Sequence, residues 1–330
     1  MFLVLTLIGC GSKKEVQISG KTMGTTYHVK VVVGYFKNLK AIEGAIEKRL
    51  EDINRSMSTF LKDSEISRFN AENAVGEKFS VSDDFIQVLK VAEKLYELTG
   101  GAWDGTVKPL VDLWGFGSRS TEWRVPERDD IVRLLEEIGF RHIEISDDGH
   151  LIKHRVPISL DLGSIAKGYG VDQISQTLRE NGIDNFLVEI GGEVFASGRR
   201  EDGENWRVGI NMPLKEAAFT QVYTAVALQD KALATSGDYR NFFEVDGKRF
   251  SHILDPRTGY PVTNGVVSVS ILSDNCTFAD GLATAVMVMG HERGIELINR
   301  LDRTEGLVVV QEKDGTLADH RSKGFIPNSS

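Results

Sequence analysis

Two cysteines, Cys10 and Cys276, are all the sequence contains, too few and too unlike in setting for a disulfide framework. Packing, not cross-linking, must hold the fold. Positive charge is also scarce: 39 Lys and Arg stand against 48 Asp and Glu, a formal net charge of −9. That argues against a basic surface built to neutralise phosphates, and so against a nucleic-acid binder. There is no tandem repeat and no low-complexity linker. The apolar run at the N-terminus, FLVLTLIGC, falls far short of the roughly 20 residues a bilayer-spanning helix needs. What remains is an ordinary globular composition, 330 residues, 41% hydrophobic and 26% charged, enough for one large domain or two intimately joined ones.

The run ending at Cys10 is followed by GSKKE and resembles the lipobox of a bacterial lipoprotein signal. The resemblance implies diacylglycerol on the Cys10 thiol and a signal-like segment and tether over residues 1–18, ahead of one domain at 19–330. It also implies a membrane-anchored lipoprotein on the extracytoplasmic side of the cell envelope. An apolar N-terminal strand is the plainer alternative. Cys276 reads as a small buried hydrophobe.

Periodicity supplies the elements. Thr26 to Val33 alternates and then turns wholly apolar, as a strand does on entering a core. From Leu39 the apolar positions Ile42, Ile46, Leu50, Ile53 and Met57 step by three or four and stop at Ser58, which predicts a helix. A second helix is expected from Phe85 to Leu98, ending at the Gly100-Gly101 pair. GAWDGTVKPLVDLWGFG follows without a strong period; this is loop composition, and loops carry sites. Beyond Pro126 a short helix to Phe140 leads into a hairpin turning at Asp148-Gly149. PISLDLG reads as a strand that breaks at Gly163 into a helix through Gln173 and Leu178. Strand patterns dominate from Phe186 to Ile210 and from Val222 to Leu272, with a turn at Asp246-Gly247. An apolar helix, a shorter one from Glu292 to Leu301, and the strand GLVVVQ close the chain. Strand runs and helix runs are segregated, which predicts an α+β fold and not a doubly wound sheet.

The apolar helix, CTFADGLATAVMVMG from Cys276 to Gly290, raises a chemical question. Phe278, Leu282, Val286 and Met289 recur at three- and four-residue steps, and Ala283, Ala285, Met287 and Val288 leave almost no polar face. An aspartate buried there is costly unless a cation or several donors satisfy it, so Asp280 should have a partner. Asp280 and Thr284 are four apart, about 5–6 Å between Cβ atoms on one face, and two oxygens so placed can converge on a hard cation. The residues also allow Thr284 to bond back to the carbonyl one turn earlier and Asp280 to cap the helix start, with the N-cap near Thr277.

Other stretches carry polar groups at structural breaks. In DLGSIAKGYGVD, Asp161 to Asp172, a strand-like run ends at a glycine and a helix begins, so backbone N–H groups and Lys167 face whatever lies there. A cation in the first helical turn is unfavourable unless an anion is bound, which suits a phosphate. A solvated lysine is the alternative, and the residue order is not that of a Walker loop. SHILDPRTGYPV places His252 and Asp255 beside a Pro-Arg-Thr-Gly turn, as general base and orienter or as turn-stabilising groups. LVEIGGEVFASG adds the tight pair Gly191-Gly192, and ALATSGDYRNFF brings polar and aromatic groups into a turn.

The order of these stretches is more specific than any one of them. KTMGTTYHVKV, STFLKDSEISRFN, GAWDGTVKPL, DLGSIAKGYGVD, VEIGGEVFASG, ATSGDYRNFF, SHILDPRTGYPV and ADGLATAVMVMG succeed one another as in the ApbE family of FAD:protein FMN transferases, which the whole chain beyond the tether resembles. The resemblance implies an α+β fold of mixed or antiparallel sheets with packed helices, and an FAD site between the helical and sheet regions. It implies magnesium-dependent transfer of the FMN half of FAD, through a phosphoester, to a threonine or serine of a target flavoprotein, with release of AMP. Asp280 and Thr284 would be magnesium ligands, joined by the backbone carbonyl of Ser164, and Lys167 would meet the pyrophosphate. FAD contacts carry over to Met23, Phe60, Leu61, Lys62, Asp104 and Leu254. Phe60 stands where many members have tyrosine, which keeps stacking and loses a hydroxyl. His252 is the candidate base and Asp255 shapes its loop. The implied acceptors are extracytoplasmic parts of redox pumps or related electron-transport subunits carrying a flavinylation motif. Two other readings use the same residues: an FAD pyrophosphatase giving FMN and AMP, and a non-catalytic flavin-binding lipoprotein.

Overall fold

The computed structural model describes residues 13–34, 37–117, 123–218, 220–238 and 242–327. Cys10 and the lipobox-like run lie outside them. Its centre is an eight-stranded sheet: β1 (Lys14–Thr22), β2 (Thr25–Val33), β3 (Phe186–Ile190), β4 (Glu193–Ser197), β5 (Lys231–Gly237), β6 (Val266–Ser273), β7 (Glu305–Gln311) and β8 (Leu317–Arg321). These strands lie side by side in chain order, and every neighbouring pair is antiparallel. The expected α+β architecture is what the chain adopts.

Six of the helices enter between β2 and β3: α1 (Leu39–Met57), α2 (Glu65–Ala71), α3 (Asp83–Leu98), α4 (Lys108–Leu113), α5 (Arg128–Glu137) and α6 (Ala166–Glu180). Two more, α7 (Cys276–Met289) and α8 (His291–Ile298), lie between β6 and β7. Alternation along the strands decides which residues meet them. Val31 and Val33 pack with Ile46 and Leu50 of α1 and Ile174 of α6, while Val32 faces the opposite side with Trp206 and Val226 of a covering hairpin. Likewise Val308 and Val310 join the α3–α7 core, and Leu307 and Val309 the other face. The sheet is therefore buried on both sides, helices on one and a two-stranded hairpin (Trp206–Asn211 with Val222–Leu228) on the other. Smaller clusters flank it, including one that joins Trp114 and Leu110 to Phe243 and Leu254.

Several features depart from expectation, the unforeseen helix α2 among them. β1 reaches back to Lys14, so residues 14–18, assigned to a tether, are an edge strand paired along its length with β2. PISLDLG is not a strand: Asn70 brackets Leu160 by donating to its carbonyl and accepting from its N–H, and the Asp161 N–H donates to the Gly105 carbonyl. Its backbone groups are satisfied by a side chain and a loop, with no ladder to join. Inside the expected loop, Lys108–Leu113 forms α4 with Pro109 in its first turn. The closing strand β8, short and only half-buried, had no apolar run to announce it.

Candidate active site

The N-terminus of α7 is fixed by residues outside it. Asn275 is its N-cap, accepting from the Phe278 N–H at 2.7 Å. That places the start two residues before the expected Thr277, whose own N–H and hydroxyl are committed elsewhere. Asp172 of α6 accepts from the N–H groups of Cys276 (2.9 Å) and Thr277 (2.8 Å) and from the Thr277 hydroxyl (2.5 Å). One carboxylate thus joins the two helices end to side, compensating donors a helix start leaves free. Gly168 lets them close: a Cβ there would collide with the Cys276 carbonyl.

This contact aims Asp280 at the start of α6. The residue is 3% exposed, its Oδ2 accepts from the Gly168 N–H at 3.0 Å, and its Oδ1 lies 3.8 Å from Lys167 Nζ. The partner that burial demanded exists, and it is a cation with a backbone donor. Lys167 also lies 2.8 Å from Oε2 of Glu193, the first residue of β4 and itself 2% exposed. Burial alone would lower the Lys167 pKa, but Asp280 and Glu193 outweigh it and hold the ammonium above the ordinary lysine range. Burial pushes Glu193 up to about 8 against the pull of Lys167, and raises Asp280 against Lys167 and the Gly168 N–H. Two carboxyls share one ammonium.

One turn along α7, the Thr284 hydroxyl lies 2.9 Å from that of Ser236 on β5. The Ser164 hydroxyl accepts from Trp103 Nε1 at 3.0 Å, and the Gly168 N–H, one turn on, donates to Asp280 instead of to the Ser164 carbonyl. Ser164, Lys167, Glu193, Ser236, Asp280 and Thr284 all line a cavity of about 400 Å³. Among the described residues no cluster of three or more His, Cys, Asp or Glu side chains could hold a metal. Apart from Glu193, which faces Lys167, the oxygens nearest Asp280 on α7 include the Thr284 and Ser236 hydroxyls, with Ser164 lining the same cavity. That set fits magnesium, which takes few protein oxygens and leaves positions for water and phosphate.

A second cavity of about 460 Å³ adjoins the first, sharing Phe116, Asp161, Gly163 and Lys167 with it. Met23 and Phe60 line it. Met23 sits at the tip of the β1–β2 hairpin, where Met23 (φ 48°) and Gly24 (φ 73°) both take positive φ, as tight two-residue turns with this twist require. Phe60 follows the end of α1 and is 79% exposed, a bare ring at the cavity edge. His252 and Leu254 line the first cavity, the imidazole edge-on to Phe116 with ring centres 6.3 Å apart.

Other expected residues fall outside both cavities. Asp104 is buried, and its Oδ1 accepts from the Thr106 N–H (2.8 Å) and hydroxyl (2.7 Å); the same hydroxyl accepts from the Gly139 N–H. Burial raises its pKa against those bonds. It secures a loop and lines neither cavity. Asp255 pairs with Arg257, accepting from its backbone N–H at 2.9 Å and its guanidinium at 2.8 Å, so it fixes the turn after His252 and does not orient the imidazole. Leu61 and Lys62 flank Phe60 without lining either cavity. Glu193, Asp172 and Ser236 were not foreseen. Glu193 had a signal: a glutamate opening the apolar strand EVFAS, directly after a glycine pair, is a buried charge in need of a partner.

Residues 23–308 match the family model described as ApbE family. The chain belongs to the ApbE family. It is 42% identical over 327 residues to an FAD:protein FMN transferase of Vibrio cholerae, covering 98% of this chain and 96% of that one. It is 37% identical to the protein of that name from Haemophilus influenzae, covering 99% and 93%. Among solved structures, the flavin transferase ApbE from Vibrio cholerae superposes with a TM-score of 0.86 at 41% identity, covering 95% of this chain and 98% of that one. The apo flavinyl transferase ApbE of Pseudomonas stutzeri gives 0.85 at 37% identity, covering 95% and 96%. The ApbE fold thus extends over nearly all of both chains.

Proposed function

We propose that this protein is an enzyme that transfers the FMN half of FAD to a threonine or serine hydroxyl of a target flavoprotein, forming a phosphoester and releasing AMP. The observation that carries this reading is the convergence of a buried carboxylate, two hydroxyls and a charge-locked lysine on the floor of a two-lobed cavity. The near full-length likeness to relatives named FAD:protein FMN transferase supports it.

The two lobes suit a substrate with two halves. Phe60 and Met23 offer a ring face and a thioether to a planar ring system. Lys167, which borders both lobes, meets the pyrophosphate between the halves. Asp280, Thr284 and the Ser164 carbonyl would hold magnesium, whose charge makes the phosphorus a better electrophile and steadies the departing AMP. The acceptor hydroxyl attacks the FMN-side phosphorus in line; the new P–O bond forms as the bond to the AMP phosphate breaks. His252, in the same cavity, takes the hydroxyl proton.

Mass spectrometry of a threonine-bearing acceptor domain, incubated with this protein, FAD and magnesium and with an EDTA control, tests the reading while AMP is assayed in parallel. An acceptor heavier by one FMN unit only with metal is expected. FMN and AMP without adduct would indicate a pyrophosphatase, and intact FAD a flavin binder. The lipobox-like FLVLTLIGC supports an enzyme anchored through Cys10 on the extracytoplasmic side of the bacterial envelope, the periplasm in a two-membrane cell. Its acceptors would then be exposed parts of redox pumps or related electron-transport subunits. An unlipidated Cys10 in protein recovered from membranes would end that assignment.

A further inference from the structure

Glu193 lines the cavity floor, is 2% exposed, and takes no part in the reaction as derived above. Its Oε2 lies 2.8 Å from Lys167 Nζ, whereas the same ammonium lies 3.8 Å from Asp280 Oδ1. Lys167 is thus shared unequally between two buried carboxylates, and the more distant one is the carboxylate that a divalent cation would use. An ammonium and a dication placed together on the buried Asp280 carboxylate would repel each other. Without Glu193, the lysine head would settle on Asp280 and compete with the metal.

We propose that Glu193 is a positioning residue that holds Lys167 to one side, keeping Asp280 open to magnesium while the ammonium stays in the cavity for the pyrophosphate. The backbone is shaped for this. Gly191, at φ 61° in the β3–β4 turn, leaves room for the lysine stem: a Cβ there would come within 3.2 Å of Lys167 Cδ and 2.8 Å of Thr25 Cγ2. The stem therefore runs along the turn, and its head meets the residue that opens β4. Lys167 of α6, Asp280 of α7 and Glu193 of β4 form one charge relay of position across three elements. This inference rests on the magnesium assignment made above.

Calorimetric titration of magnesium into the full chain, at one fixed alkaline pH, tests it without any turnover. Glu193→Gln keeps the shape and removes the charge, and should weaken magnesium binding about tenfold, the size expected for uncoupling close charges. Adding Lys167→Met removes the competitor and should bring affinity back to within about threefold of the unmutated protein. Glu193→Asp keeps the charge but shortens the reach by one methylene; an intermediate loss is expected, and this variant serves if Glu193→Gln does not fold. Magnesium uptake unchanged in Glu193→Gln or in Glu193→Asp overturns the inference alone. A loss that Lys167→Met fails to reverse overturns it too, since Glu193 would then act on the metal or the fold directly. No uptake by the unmutated chain overturns the metal assignment, and this inference with it.

Discussion

Lys153, buried, and Lys167, part-buried, lie in surroundings that have opposite effects on them. Lys153, at the end of the strand His150–Lys153, is 2% exposed; its Nζ donates to the Glu72 carbonyl at 2.7 Å and lies 4.5 Å from the centre of the Phe69 ring. Burial pushes its pKa down to about 8. Lys167 is desolvated as well, but Asp280 and Glu193 reverse the direction and hold it charged. A carbonyl and a ring solvate an ammonium only in part, whereas the Asp280 and Glu193 carboxyls attract it by charge. Burial therefore does not say whether a lysine is a packing element or a persistent cation; the neighbouring charges do.

The contrast can be broken at several points. The largest effect is expected at Asp280: Asp280→Asn keeps an acceptor for the Gly168 N–H but removes the charge, and metal-dependent transfer should fall about a thousandfold. An unchanged circular dichroism spectrum would show the fold intact, and unchanged turnover would sink the metal assignment. Lys167→Met removes the cation and should lower kcat/KM about a hundredfold, with a magnesium requirement still present. A variant as active as the parent would mean that the pyrophosphate is met elsewhere. Phe60→Ala removes only a ring at the rim; FAD binding should weaken about tenfold by fluorescence titration, the loss expected for one stacked base. Its melting temperature should not change, because an exposed ring supports little packing.

The smallest effect sharpens the lysine comparison itself. Lys153 titrates near 8 when folded and near lysine's ordinary 10.5 when unfolded. Above 10.5 both states are neutral and no penalty exists. As pH falls from there to 8 the unfolded chain takes up a proton first, so stability declines across that window and then levels off. Urea midpoints should follow this course in the unmutated protein and lose that component in Lys153→Met. A slope unaltered by the substitution would show that Lys153 is well solvated after all.

Helices with a strong stripe were legible from the sequence because their pattern is local. α1, α3 and α7 follow from residues three and four apart, and the end of α1 at Met57 from the loss of that spacing. The need for a partner at Asp280 was legible for the same reason. PISLDLG was misread because an extended apolar run looks like a strand whether its backbone meets a ladder or the Asn70 side chain. Asp104 was placed at the FAD by likeness of motif, yet Thr106, only two residues away, already bonds its carboxylate; Asp255, expected to shape the loop of His252, bonds Arg257 within that turn. Such short-range bonds are invisible to a pattern that records only residue types.

The sequence by itself determined that an apolar helix would be buried with a carboxylate inside it, that glycine-broken turns would carry polar groups, and that the motifs run in the order of the ApbE family. Tertiary structure decided which groups complete the site. The Gly168 N–H that reaches Asp280 is 112 residues away in the chain, and Glu193 comes from a strand that no local pattern links to either helix. Periodicity reports how a segment must face water, whereas the pairing of buried charges depends on which distant segments the sheet and helices bring within 4 Å of each other.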